Sequence, residues 1–461
     1  MGFLDKTINE LINTEYECSC GRKHIAHIDN IAIGKNALQK LPGLIDRQKL
    51  ADGRVFDKAR DQILMVTDVN TRKVCGERVL ALLKEYGYQV QEYCFPYEKM
   101  HAADEGVEEL REHFFEGLSL IITVGSGTLN DTTRYAAFHA GIPYYIVATA
   151  PSMDGYASNV SPLIHNNLKT TYVCCNAAAV IGDAELLATC PTKMIGAGLG
   201  DIIGKYLAIN DWKMSGVIND EYFCEEVGDL VLYSVQKCVD NVPGLVNREP
   251  EALTYLMESL VLIGIAMSYI GVSRPASSSE HHIAHFLEMK AIFNGEYGEM
   301  HGTNVGMATC LIHDMYQKLL QMDIDFDEAR EKAKQFDYDR WEAEIRRSFG
   351  LAADEVIALY QKVGQDNPEN VIPRIDAMEK NWNVLRGMME NVVEKTNKAA
   401  GLLTQLNGLT SPEGYGLTKG EIKDILTYAK DVRNRYGALQ IFYDLGVLEE
   451  LSDYIVEKYM G

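Results

Sequence analysis

The stretch "LSLIITVGSGTLNDTTRYAAFHAG", residues 118–141, decides how the fold is read. Its core "LIITV" (120–124) is an apolar run suited to a strand buried on both faces of a parallel sheet. The run passes through Gly125 and Gly127 into a segment with helical spacing. Glycines let the backbone turn tightly and come close to a phosphate. From Thr128 onward the N–H groups lie at a helix N-terminus, where anions bind. The turn is not G-x-G-x-x-G, and alone it also reads as an ordinary strand-to-helix turn.

The neighbouring segments repeat the alternation. "QILMVTD" (62–68) reads as a strand ending on Asp68, "TRKVCGERVLALLKEYG" (71–87) as a helix and "YQVQEYCF" (88–95) as a strand. "EGVEELREHFFEG" (105–117) is helical again, and "PYYIVAT" (143–149) is the last strand. This pattern predicts an α/β, Rossmann-like domain over residues 1–180, with a parallel sheet covered by helices. Ligands of such sheets bind beyond the carboxyl ends of the strands. Asp68 stands at such an end, where a carboxylate bonds a ribose hydroxyl or caps a turn. "ATAPSMDGYASNVSP" (148–162) is rich in turn formers and borders the same crevice, with Ser152, Asp154 and Ser158 as its functional candidates. Its rival reading is a surface loop in which Asp154 caps the next segment.

From about residue 181 strand signals fade, and an all-α domain is predicted over 181–461. The apolar run "LVLIGIAMSYIGV" (260–272) is too short for a membrane span and reads as a buried helix. Residues 322–385 are acidic and polar and read as an inserted set of surface helices. The chain has 461 residues, 47% hydrophobic and 24% charged, with a net charge of −22. That sign argues against nucleic acid or an anionic membrane surface as the main partner and requires a local cationic pocket for any anionic substrate. "MGFLDKTINELINTEY" lacks the apolar core of a signal peptide, and ten cysteines form no regular framework. Both suggest the cytoplasm. In "CSCGRKH" (18–24), Cys18, Cys20 and His24 are possible zinc ligands. The C-x-C spacing is not the usual one and no second half follows, so an N-terminal strand or turn is the preferred reading.

Only 11 histidines occur, and three of them crowd into "SEHHIAHFLEM" (279–289). On a helix His281 and His285 share a face, with His282 turned aside. "HGTNVGMAT" (301–309) adds His301, and "GAGLGDIIGKY" (196–206) places Asp201 after a glycine-rich turn, with Lys205 one helical turn on. A carboxylate and two imidazoles suit Zn²⁺, Fe²⁺ or Ni²⁺ with positions open for substrate. The competing readings are a solvated helix surface or a hydrogen-bonded core, and for Lys205 an exposed lysine.

The motifs "GSGTLNDTTRYAA", "TAPSMDGYAS", "GLGDIIGKYLAINDWK", "SEHHIAHFLEM" and "HGTNVGMAT" occur in the order found in the sn-glycerol-1-phosphate dehydrogenases. The chain resembles that family, part of the iron-containing alcohol dehydrogenase, glycerol dehydrogenase and dehydroquinate synthase-like superfamily. The resemblance covers about residues 15–310 and resumes in "RNRYGALQIFYDLG" (433–446). It implies that Asp201, His281 and His301 hold one divalent metal. The gap from His281 to His301 is longer than in many relatives, filled by "AIFNGEYGEM" (291–300), and by gap alone His285 would be the ligand. The direct match of "SEH" favours His281, with His285 contacting substrate and His282 structural.

The resemblance further implies that Gly125, Ser126, Gly127, Thr128, Leu129, Thr149, Ala150, Pro151, Ser152 and Ser158 hold the dinucleotide, with Asp68 on the adenosine ribose. NAD(H) is then preferred, because a carboxylate there repels the 2′-phosphate of NADP(H). Asp154 and Asp201 would contact substrate, and Lys205 is the candidate cation for a phosphate. The implied reaction is reversible reduction of dihydroxyacetone phosphate to sn-glycerol 1-phosphate, a step of phospholipid metabolism, by a cytoplasmic homo-oligomer. The rivals are a polyol dehydrogenase on the same scaffold, a dehydroquinate synthase-like lyase, and a silent dinucleotide or metal sensor.

Overall fold

Fully buried apolar runs with helices on both sides have one stable arrangement, a parallel sheet, and six strands adopt it. The computed structural model describes residues 2–165 and 168–461. The chain divides into two units, Met1–Ile202 with Asp229–Ser273, and Ile203–Gly228 with Arg274–Gly461. In the first unit, two short strands, β1 (Tyr16–Glu17) and β2 (Lys23–His24), pair antiparallel. The main sheet is built from β3 (Asn30–Gly34), β4 (Gln62–Asp68), β5 (Gln89–Phe95), β6 (Leu118–Gly125), β7 (Tyr144–Ala148) and β10 (Ala179–Asp183). The order is β3-β10-β7-β6-β4-β5, and every neighbouring pair is parallel. Between β7 and β10 lies an antiparallel hairpin, β8 (Val160–His165) and β9 (Leu168–Val173).

One expectation fails here. The strand at residues 143–149 is not the last, because β10 follows it and pairs with both β7 and β3. Only two of its five residues, Val180 and Ile181, are strong strand formers, beside Ala179, Gly182 and Asp183. Complete burial of all five residues between two neighbours holds it in the sheet.

The winding of the sheet places the ligand crevice. From β4 the chain steps outward to β5, then crosses back to β6 on the other side of β4 and continues through β7 to β10. The adjacent strands β4 and β6 therefore flank the point where the direction reverses. Ligands of open α/β sheets bind beyond the strand ends at that point.

Helices α1 (Glu77–Glu85), α2 (Asp104–Arg111) and α3 (Gly127–Ala140) connect these strands, and α3 stops on Gly141 in the left-handed conformation. Helix α4 (Thr192–Asn219) follows the sheet, then α5 (Glu225–Asp240) and α6 (Pro250–Ile270). The apolar run at 260–272 is part of α6, which at 21 residues is long and apolar enough to cross a membrane, with 67% of its apolar window buried in the protein. Leu253, Leu256, Leu260 and Ile263 are fully buried, so α6 serves as a core helix of this unit.

In the second unit, α7 (Ser279–Phe293) packs on α8 (His301–Leu319). Gly204 of α4 lets both approach: a Cβ there would lie 2.6 Å from a Val305 methyl and 3.2 Å from Glu280 Cγ. The stretch 322–385 folds into α9 (Phe326–Ala333), α10 (Tyr338–Phe349), α11 (Ala353–Val363) and α12 (Pro368–Lys380). Most of its charged residues face outward, with Asp366 buried against Lys430 as an exception, while Trp341, Ile345, Phe349, Val371, Ile375 and Met378 are buried.

Gly198 of α4 gives a testable consequence. A Cβ on it would overlap the Pro151 carbonyl, backbone that cannot rotate away. Gly198→Ala is therefore expected to cost about 1–3 kcal/mol in denaturant unfolding, the range for overpacked interiors. A stability equal to wild type would show that the residue 149–154 loop is not fixed by α4.

Candidate active site

The first unit gathers its predicted residues along the carboxyl edge of the sheet. Asp68 ends β4, Gly125 ends β6, and the loop from Thr149 follows β7, so three adjacent strands deliver them. Thr149 N–H donates to the Gly125 carbonyl at 3.0 Å, tying the two turns together. Asp68 Oδ1 accepts N–H bonds from Asn70 (2.8 Å) and Thr71 (2.7 Å), so this carboxylate caps a short helix where the sequence suggested either a cap or a ribose contact.

Ser126 makes no side-chain cap on α3, and the first turn of α3 carries no acidic residue. The positive end of the helix is thereby left for a ligand anion. Above Gly127 an added Cβ would meet only Met153, at 3.5 Å, so the glycine keeps a cradle that a larger side chain would fill. Leu129 is buried beneath the turn, and its side chain would sit within 2.9 Å of a Cβ on Gly125.

Arg134, three residues beyond Asp131 on α3, organises the loop at 148–162. It is fully buried and donates to Asp131, to Tyr144 Oη and to the carbonyls of Gly155, Tyr156 and Val160. Tyr156 Oη donates to the Ala150 carbonyl, and Ser158 Oγ donates to those of Gly155 and Val160. Ser152, Asp154 and Ser158 are all buried, so the loop is not a solvated surface segment. Asp154 N–H donates to Asp201 Oδ2 at 3.0 Å, which couples the loop to α4. Sequence reasoning missed Arg134. The signal was present, since an arginine inside an otherwise buried helix needs several acceptors.

In the second unit the three histidines of α7 and His301 of α8 answer the question of surface or core. His281, His282 and His285 are all buried. The His281 and His301 ring centroids are 5.0 Å apart, and those of His285 and His301 are 5.4 Å apart. Each of these rings is held by a carboxylate through Nδ1. Glu280 Oε1 meets His281 Nδ1 at 2.7 Å, Glu288 Oε1 meets His301 Nδ1 at 2.7 Å, and Glu288 Oε2 meets His285 Nδ1 at 3.2 Å. Ionised Glu288 only accepts, so the Nδ1 atoms of His285 and His301 carry protons and their Nε2 atoms present lone pairs; Glu280 sets the same tautomer on His281 once it is itself ionised. That is the arrangement in which histidine binds a metal.

Glu288, His285 and His301 also offer three ligand atoms within 4.8 Å of one another, but both Glu288 oxygens are already engaged in orienting the rings. His282 lies apart, with its Nε2 buried and unbonded. Neither Glu280 nor Glu288 was singled out from the sequence, although Glu280 adjoins His281 and Glu288 lies three residues from His285.

Electrostatics keep the site ready for a cation. Burial drives the His281 proton affinity well below the usual histidine range, and the positive charge of Lys205 adds to this. His282 is lowered likewise, first by burial and then by Arg435 and Arg433. Lys205 is fully buried, which rules out the exposed-lysine reading. Arg433 is a second cation bearing on both histidines. Burial, with Asp211 nearby, raises Glu280 to about 8.

Between pH 4.5 and about 8 the folded metal-free protein therefore holds a proton on Glu280 that the unfolded chain releases. This contribution to stability falls as pH rises through that window. Glu280→Gln should flatten the difference, measured by unfolding at several pH values; an unchanged slope would contradict the assignment. Separately, Glu288→Gln should weaken metal binding about 10- to 100-fold, as loss of a ring-orienting partner does.

A profile of the iron-containing alcohol dehydrogenase family matches residues 32–191. Glycerol-1-phosphate dehydrogenase [NAD(P)+] of Halalkalibacterium halodurans is 32% identical, covering 69% of this chain and 76% of its own. The Bacillus subtilis protein of the same name is 31% identical, covering 79% and 92%. Among solved structures, a 1,3-propanediol oxidoreductase superposes with a TM-score of 0.60 at 14% identity, covering 94% of this chain and 98% of its own. A Schizosaccharomyces pombe glycerol dehydrogenase does so with a TM-score of 0.56 at 16% identity, covering 94% and 91%. These two share the fold. Identity and coverage together place the chain in the glycerol-1-phosphate dehydrogenase family.

Proposed function

We propose that this protein catalyses the reversible, metal-dependent reduction of dihydroxyacetone phosphate to sn-glycerol 1-phosphate with NAD(P)H. The observation that carries the reading is the set of three histidines, His281 and His285 buried and His301 half-buried, whose Nδ1 atoms are anchored on Glu280 and Glu288, in a chain of this family. That donor set fits a divalent ion. Asp201, His281 and His301 are the proposed ligands. Zn²⁺, Ni²⁺ and Fe²⁺ all suit an Asp/His/His set. When bound, the metal supplies Lewis-acid polarisation of the carbonyl and the nicotinamide supplies the hydride.

The chain's own groups bind and orient. The Gly125–Gly127 turn and the N-terminus of α3 hold the pyrophosphate, and Thr149, Ala150, Pro151, Ser152 and Ser158 line the dinucleotide's other side. Asp68 faces the adenosine ribose, which favours NAD(H) over NADP(H). Asp154 and His285 take the substrate hydroxyls. Lys205 takes the phosphate, assisted by Arg433, and both are desolvated cations in a chain of net charge −22.

NADH oxidation by the metal-loaded protein tests this reading, with dihydroxyacetone phosphate offered beside dihydroxyacetone. The phosphorylated ketone should be strongly preferred, and equal use of both would point to a polyol dehydrogenase instead. Lys205→Met should raise KM for the phosphorylated substrate about ten- to a hundredfold, the worth of a charge-assisted bond of roughly 1.5–3 kcal/mol, and leave dihydroxyacetone turnover unmoved. His281→Ala should lose metal and activity together; if His285→Ala loses the metal and His281→Ala keeps it, the ligand assignment is wrong. Gly127→Val should abolish NADH binding.

A further inference from the structure

The N-terminal hairpin holds a cluster that the dehydrogenase chemistry does not use. β1 and β2 are only two residues long each, too short to stay folded as an isolated hairpin. The turn between them is tight: Cys18 N–H donates to the Arg22 carbonyl at 3.1 Å, Gly21 N–H donates to the Cys18 carbonyl at 3.0 Å, and Gly21 is left-handed at φ +82°. This turn carries Cys18 and Cys20, and β2 ends on His24. Their ligand atoms all lie within 4.8 Å of one another, and Cys20 Sγ is 3.3 Å from His24 Nε2. In a tetrahedral zinc site, Zn–S of about 2.3 Å and Zn–N of about 2.0–2.1 Å place sulfur and nitrogen roughly 3.5 Å apart.

The state of His24 is decided by its other nitrogen. Nδ1 lies 2.9 Å from the Tyr269 carbonyl, which can only accept, so Nδ1 is the protonated atom. Nε2 therefore turns a lone pair toward the Cys20 thiol. His24 is 1% exposed and stacks on the Tyr269 ring at 5.5 Å, with Phe3 edge-on to it at 5.9 Å. A buried imidazole of fixed tautomer, held by a backbone carbonyl and facing thiols, is prepared for a soft divalent cation rather than for apolar packing.

We propose that Cys18, Cys20 and His24 bind a structural zinc ion. Two thiolates and one imidazole on a single short hairpin are a donor set of structural zinc sites, which a fourth donor completes. Binding exchanges the thiol protons for Zn²⁺ and leaves every oxidation state unchanged. The ion replaces the core that so short a hairpin lacks, and it fixes the N-terminal segment on the end of α6, where Tyr269 Oη donates to the Leu11 carbonyl.

Cobalt separates this site from the catalytic one, since Asp/His/His offers no sulfur. Full-length protein loaded with Co²⁺ under reducing conditions should show a thiolate-to-cobalt charge-transfer band. Cys18→Ser/Cys20→Ser should abolish it, lower zinc content by one ion per chain, and leave dihydroxyacetone phosphate reduction in place. If the double variant fails to fold, wild type alone decides: Zn²⁺ should protect Cys18 and Cys20 from alkylation, read by mass spectrometry of the labelled peptides. No sulfur band in the wild type, or equal labelling with and without Zn²⁺, would overturn the proposal, as would a Cys18–Cys20 disulfide in protein purified under reducing conditions.

Discussion

One carboxylate, Glu288, holds the imidazoles of two helices at once. Its two oxygens reach His301 Nδ1 on α8 and His285 Nδ1 on its own α7. A buried imidazole without a partner is costly, and a rotating one is a poor ligand. With Glu288 and Glu280 both ionised, the tautomers are fixed and the Nε2 atoms carry the lone pairs. Gly204, which admits α7 and α8 to close contact, and the buried Asp211, which accepts from Ser278, Tyr316 and the Ala438 N–H, hold the frame on which this depends.

The same frame accounts for the charge distribution. A chain of net charge −22 repels a phosphorylated substrate at long range. Lys205 is buried and Arg433 and Arg435 are half-buried near the histidines, where a charge acts through a lower effective dielectric. Burial lowers the proton affinity of Arg435 to about 9, with Arg433 and Arg274 adding to it. Such a concentration of cations destabilises the empty site, and an anionic ligand relieves it.

Much of this was legible in the sequence, for physical reasons. The apolar runs ending on Asp68 and Gly125 could only be buried strands, and their carboxyl ends carry the turn residues. The i, i+4 histidines had to share a helix face. What the sequence hid were partnerships between elements. Glu288 looks like any helix carboxylate until α8 brings His301 beside it, thirteen residues away in the chain. Arg134 could be recognised as buried, but its acceptors lie on a loop more than twenty residues on. β10 was overlooked because its apolar run is only Val180 and Ile181, with Gly182 and Asp183 directly after, and pairing with two neighbours completes it as a strand.

The stereochemistry of the product tests the central claim most directly. Metal-loaded protein is supplied with dihydroxyacetone phosphate and NADH, and the glycerol phosphate formed is resolved with an enantiomer-specific enzyme assay. The account predicts sn-glycerol 1-phosphate, formed only when the divalent metal is present. Formation of the sn-3 enantiomer, or undiminished turnover after the metal is removed, would contradict it.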